Sequence, residues 1–150
     1  MENMIHGEKI NLLYKLTANQ KPLWGKMTPQ HMVEHLYKTY QASISEIKLN
    51  IFTEERKIPV LKKLFMGSRP LPKEFINPAI GPELLALEFP DLNTAVLELK
   101  KIVIRYEIFF NENPQIKTAH PVFGYLTKEE WDICHQKHIE HHFSQFGLSG

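Results

Sequence analysis

A single cysteine, Cys134, is the whole thiol content of this 150-residue chain. An internal disulfide framework is therefore excluded, and the scarcity fits a reducing compartment. A marked excess of positive or negative charge is lacking too: 18 Lys and Arg stand against 17 Asp and Glu, for a formal net charge of +1. No basic run is interleaved with aromatics. Nucleic acid is not an expected partner, since phosphate binding needs clustered Lys and Arg. No stretch reaches the ~20 apolar residues that span a bilayer, and no membrane association is expected. In the opening residues, MENMIHGEKINLLYKL, polar and charged groups interrupt every apolar run, so the apolar core of a signal peptide is lacking. The expected location is the cytoplasm. Internal repeats and low-complexity segments are absent, as are a phosphate loop, a nucleotide fingerprint and a serine nucleophile elbow.

What is present is ordinary in bulk. Hydrophobic residues make up 43% and charged residues 23%, which suits one globular domain over residues 1–150. A domain of this length buries a core without disulfides or structural metal. Any metal is then expected to serve function rather than folding.

Prolines and glycines divide the chain into helical runs. Residues 5–18 read as a first helix, with Ile10, Leu13 and Leu16 on one side. A second begins at TPQHMVEHL, where Thr28 is a good N-cap and Pro29 suits the first turn. Its stripe runs through Met32, Leu36, Tyr40, Ser43 and Ile47. Residues 48–90 are less regular. IPVLKKLFMG predicts a short helix ending at Gly67, and the proline-rich stretch 68–91 reads as a long surface connection. A third main helix is predicted from near Asp91, because Leu92, Val96, Leu99, Val103, Tyr106 and Phe110 make one continuous seam. KIVIRYEIFF is also rich in strand formers, but the seam keeps its phase through it. Asn113-Pro114 ends that helix. Thr127 and Glu130 form a capping box for the last helix, and Gly147 is placed to end it. The sum is an all-α four-helix bundle, with a long irregular connection between helices two and three and no predicted strand.

Three of the chain's eight histidines fall in the last helix within HIEHH. His138 and His142 are four apart, hence one turn apart on one face. Trp131, His135 and Gln145 share that side, while His141 turns toward the flank. Two inward imidazoles are a bidentate platform for zinc, nickel, copper or iron. A catalytic site usually wants three protein ligands and an open position. Helix two offers His31 and His35. His31 lies opposite the apolar stripe. His35 lies at its edge, beside Thr39 and Ala42, and is the better-placed third ligand. An HxxxH pair is by itself a weak signal, and solvated or core histidines remain the alternative.

PLWGKMTPQHMVEHL, followed much later by HPVFGYLTKEEWDICHQKHIEHHFSQFGL, resembles the DinB/YfiT-like superfamily of metalloenzymes. It most resembles the bacterial branch described as a domain of unknown function. The similarity runs from Trp24 to Leu148. It implies a four-helix bundle with a divalent metal on three histidines, which carry over to His35, His138 and His142. Zinc or nickel is the implied cofactor. The implied activities are thiol-dependent transfer or isomerisation, or hydrolysis, on a small-molecule substrate, with a low-molecular-weight thiol as co-substrate.

The neighbours then acquire candidate roles. Gln145 or Glu34 can accept the second N–H of a ligand histidine, and Gln145 can instead face substrate. His120 is either an acid or base at the pocket mouth or a lock for its own loop, and the lock is favoured. His135 is a fourth ligand or, by preference, an outer neighbour. Cys134 is a soft ligand or nucleophile, or, as favoured on a packed helix, an inert small hydrophobe. His141 and His6 read as surface residues, and Trp24 and Trp131 as core anchors. The expected function is a metal-dependent enzyme, a thiol-dependent transferase before a hydrolase. The alternative is a non-enzymatic metal-binding or interaction bundle, with a homodimer in view.

Overall fold

A computed structural model describes residues 7–67 and 85–148. It shows a mostly helical fold of five helices and one two-stranded hairpin. In chain order these are α1 (Gly7–Ile10), α2 (Pro29–Ser43), α3 (Ile58–Phe65), α4 (Leu92–Glu112), β1 (Thr118–His120), β2 (Gly124–Leu126) and α5 (Lys128–Gln145). His6 and most of the proline-rich connection lie outside the described residues. No described helix is long and apolar enough to cross a membrane.

The first predicted helix, whose residues 5 and 6 lie outside the described residues, ends earlier than expected. Its α-turn tightens into a 3-10 helix over Asn11–Lys15. Ile10, Leu13 and Leu16 are all buried, one in the α-turn, one in the 3-10 turn and one at the extended residue that ends it.

Helix α2 starts as read from the sequence: the Thr28 side chain accepts the His31 N–H, and Pro29 occupies the first turn. It ends earlier than its stripe predicts. Glu46 N–H returns to the Gln41 carbonyl and Ser45 N–H to the Ala42 carbonyl, with Ser45 in the left-handed region at φ 61. This is the bonding of a Schellman stop, with serine where glycine is usual. The Ser43 hydroxyl also turns back to the Tyr40 carbonyl, at 2.7 Å.

Helix α4 takes up the whole of KIVIRYEIFF, with Asp91 accepting the Thr94 N–H as N-cap. Val96, Leu99, Val103, Tyr106 and Phe110 are all buried. They pack against α2, whose Met32, Leu36 and Tyr40 are fully enclosed. Burying a side chain of this size contributes ~1.5–3 kcal/mol. The buried Glu34 of α2 fastens the approach to α4: its carboxylate accepts the backbone N–H groups of Glu88 and Phe89, at 2.7 and 3.1 Å.

The predicted absence of strands is corrected by β1 and β2. They pair antiparallel, Thr118 with Leu126 and His120 with Gly124. Each has three residues, too few for an alternating pattern to show in the sequence. The turn is set by Gly124 at φ 73. Thr118 stitches the hairpin to the frame, donating to the Ser43 carbonyl and accepting from Trp131 Nε1, both at 2.7 Å. The hairpin so delivers the chain to α5. There the Thr127–Glu130 capping box is complete, and Gly147, at φ 70, forms the stop.

Candidate metal centre

His35 sits on α2, beside the turn that ends in Thr39, whose hydroxyl bonds back to the His35 carbonyl. His138 and His142 sit one turn apart on α5. The packing of α2 on α5 brings the three rings together. His138 Nε2 lies 2.7 Å from His35 Nε2 and 3.2 Å from His142 Nε2. One ligand atom from each lies within 4.8 Å of the others, and the group could hold a metal ion. Tetrahedral coordination at zinc–nitrogen bonds of ordinary length sets ligand nitrogens about 3.3 Å apart. The 3.2 Å pair meets that spacing, and the 2.7 Å pair is tighter.

The donor chemistry fits a cation. A proton on His138 Nε2 can serve one of its two neighbours at a time, whereas a cation draws on every lone pair in the group. The rings are also held neutral, as ligation requires. Burial pushes the His35 imidazole down to about 4, with His141 adding to the effect. Burial, and then the neighbouring imidazoles, holds His138 well below the ordinary histidine range. His142 is lowered chiefly by burial and then by His35.

Gln145 is buried and lies outside the trio, with Oε1 2.9 Å from His142 Nδ1. Its Nε2 donates to the Trp24 carbonyl at 2.9 Å. The fixed carbonyl orients the amide, since it can only accept. Sequence reasoning named Gln145 but missed Trp24 and Gly25 as its seat. The Trp-Gly pair was visible, but nothing local joined it to a residue 121 positions away.

The other candidates are placed elsewhere. Glu34 does not support a histidine: its carboxylate is bound to the 88–89 backbone and to Gln30 Nε2. His135 lies outside the trio. It stacks on Tyr40 with ring centroids 3.7 Å apart, and its Nε2 is 3.1 Å from the Ser43 hydroxyl. His120 Nδ1 accepts the N–H groups of Val122 and Phe123, at 3.0 and 3.3 Å, and its ring rests on Phe123 and Trp131. The favoured reading, a loop lock, is the geometry found. Burial lowers its pKa to about 4. Cys134 is buried, and burial pushes its thiol well up, away from the reactive thiolate. His141 is half-buried, edge-on to Trp24 and His142.

The class defined by fold and site is a mostly helical protein with three histidines, from two helices, able to hold one metal ion. The family described as "Protein of unknown function (DUF1569)" matches residues 110–148. That stretch holds the end of α4, the hairpin and α5, and so includes His138 and His142 but not His35. No curated protein and no solved structure matches the chain.

Proposed function

We propose that this chain is a metal-dependent enzyme of the DinB/YfiT-like kind, a helical bundle acting on a small molecule. His35, His138 and His142 hold one divalent ion, zinc or nickel. The observation that carries the reading is the gathering of one ring nitrogen from each within 4.8 Å of the others. Among the described residues the group has three members, which matches catalytic sites that keep one position for water or substrate. A divalent ion held there supplies Lewis acidity, lowering the pKa of a small nucleophile so that it reacts near neutral pH.

The chain's own residues do the rest. Burial keeps the three imidazoles unprotonated, and the Gln145 amide orients His142. The family resemblance favours a low-molecular-weight thiol as that nucleophile, hence a thiol-dependent transferase. A hydrolase would use water in the same place, and the two separate on whether turnover needs the thiol.

Elemental analysis of untagged protein tests the site. Wild type is expected to carry stoichiometric zinc or nickel, and His138→Ala to lose it. Equal, near-zero metal in both would remove the site and the enzyme with it.

One observation favours a second, non-enzymatic reading. Leu97, Ile104 and Ile108 form a stripe on the outer side of α4, each about half exposed. A metal-binding bundle that pairs with a second copy would bury that stripe. Sedimentation equilibrium of wild type against Ile104→Lys distinguishes it: a dimer dissociated by the substitution supports pairing, and a monomer in both refutes it.

A further inference from the structure

We propose that the loop over residues 20–25 is a working part of the histidine group. By holding the Gln145 amide, it fixes which nitrogen of His142 is free, and Gly25 is the position that allows this. The metal role of the group rests on the reading above, whereas the tautomer does not.

The chain of contacts is short and directional. The Trp24 carbonyl accepts from Gln145 Nε2 at 2.9 Å. A carbonyl cannot donate, so the amide cannot rotate end for end without losing this bond. Gln145 Oε1 is thereby aimed at His142 Nδ1, 2.9 Å away. An amide oxygen can only accept, so Nδ1 carries the proton. The lone pair is left on Nε2, which faces His138 Nε2 at 3.2 Å. The state of a ring in the group is thus set by a backbone carbonyl in a loop before α2.

Gly25 makes the approach possible. It sits in the left-handed region at φ 80, and a Cβ there would come within 2.7 Å of Gln145 Nε2. A side chain at 25 would push the amide off its seat. The loop has further anchorage: Leu23 N–H donates to the Gln145 carbonyl at 2.7 Å, and Gln20 Nε2 to the Phe146 carbonyl at 3.0 Å. Gln145→Leu removes the amide while leaving those bonds in place, so the loop is expected to stay seated. Gln145 and Gly25 are positioning residues: they act through His142.

The test uses the full-length chain and two readouts. Long-range 15N–1H NMR of the metal-free protein reports the histidine tautomers directly. His142 is expected as the Nδ1–H form in wild type, and as a mixture in Gln145→Leu and in Gly25→Ala. Zinc affinity, measured by competition with a chromophoric chelator, is expected to fall about 10- to 100-fold in Gln145→Leu. Gly25→Ala should weaken zinc alone and have a much smaller effect in the Gln145→Leu background, where only the strain of its left-handed backbone is left to act.

Wild-type tautomer and affinity in a folded Gln145→Leu would overturn the proposal while leaving the metal reading intact. A tautomer shift in a protein whose wild type binds no zinc would uphold the latch and sink the metal reading. A loss in Gly25→Ala that persists undiminished in the Leu background would show that the glycine acts by another route.

Discussion

His120 shows how one buried imidazole ties folding to proton concentration. Its Nδ1 accepts two backbone N–H groups in the hairpin turn, which only the unprotonated nitrogen can do. Burial lowers its pKa from 6.5 to about 4. Between those values the unfolded chain binds the proton and the folded chain does not, so stability falls as the pH is lowered there. The contribution is complete above pH 6.5 and is lost progressively toward pH 4. His120→Asn keeps an acceptor without a titrating ring. Its melting temperature should depend less steeply on pH across that window than that of wild type. Identical slopes would mean that protonation of His120 carries no folding energy. Cys134 makes the contrasting case: burial raises its thiol, and the same seclusion that helps an imidazole serve as a ligand leaves this sulfur inert.

At the scale of elements, the capped helix ends matter because each fixes where its helix begins or ends and satisfies backbone groups left over there. The Thr127 side chain accepts the Glu130 N–H, and the Glu130 carboxylate accepts the Thr127 N–H at 2.9 Å. Removing one partner by Thr127→Ala should cost about 1 kcal/mol in urea unfolding, with metal stoichiometry unchanged because tertiary packing still holds the helix. A loss of metal at full stability would instead tie the cap directly to the site.

These ends were legible because their chemistry is local: Thr28, Asp91, the Thr127–Glu130 pair and Gly147 each act within one turn. The pairing of His138 with His142 was legible for a related reason, since they lie one turn apart on one face, whereas helical phase put His35 only at the edge of its stripe and the family resemblance joined it to the pair. What the sequence hid depends on contacts distant along the chain or on uncommon backbone. Ser45 takes a left-handed angle usually left to glycine. Glu34 is claimed by the 88–89 backbone. The hairpin strands are too short for a period, and Gln145 finds Trp24 from the far end of the chain. Among the described residues, three long helices stand with short companions where four main helices were predicted, and the first run winds as an α-turn followed by a 3-10 turn.

For the whole molecule, a metal ion held by the histidine group would be a crosslink. His35 and His138 are 103 residues apart in sequence, and an ion between them would bind the folded state alone. At a hundredfold excess over Kd, such binding stabilises by about 2.7 kcal/mol. The melting temperature of metal-free protein should therefore rise with added zinc, and the rise should vanish in His142→Ala. A rise of equal size in the variant would place the zinc elsewhere.

That three imidazoles from two helices share one divalent ion is tested most directly by the zinc K-edge X-ray absorption spectrum of untagged, zinc-loaded protein. The expected spectrum shows three imidazole nitrogens at about 2.0–2.1 Å with one further light ligand, and one imidazole fewer in His142→Ala. A sulfur shell at about 2.3 Å, or oxygen ligands without imidazole scattering, would contradict it.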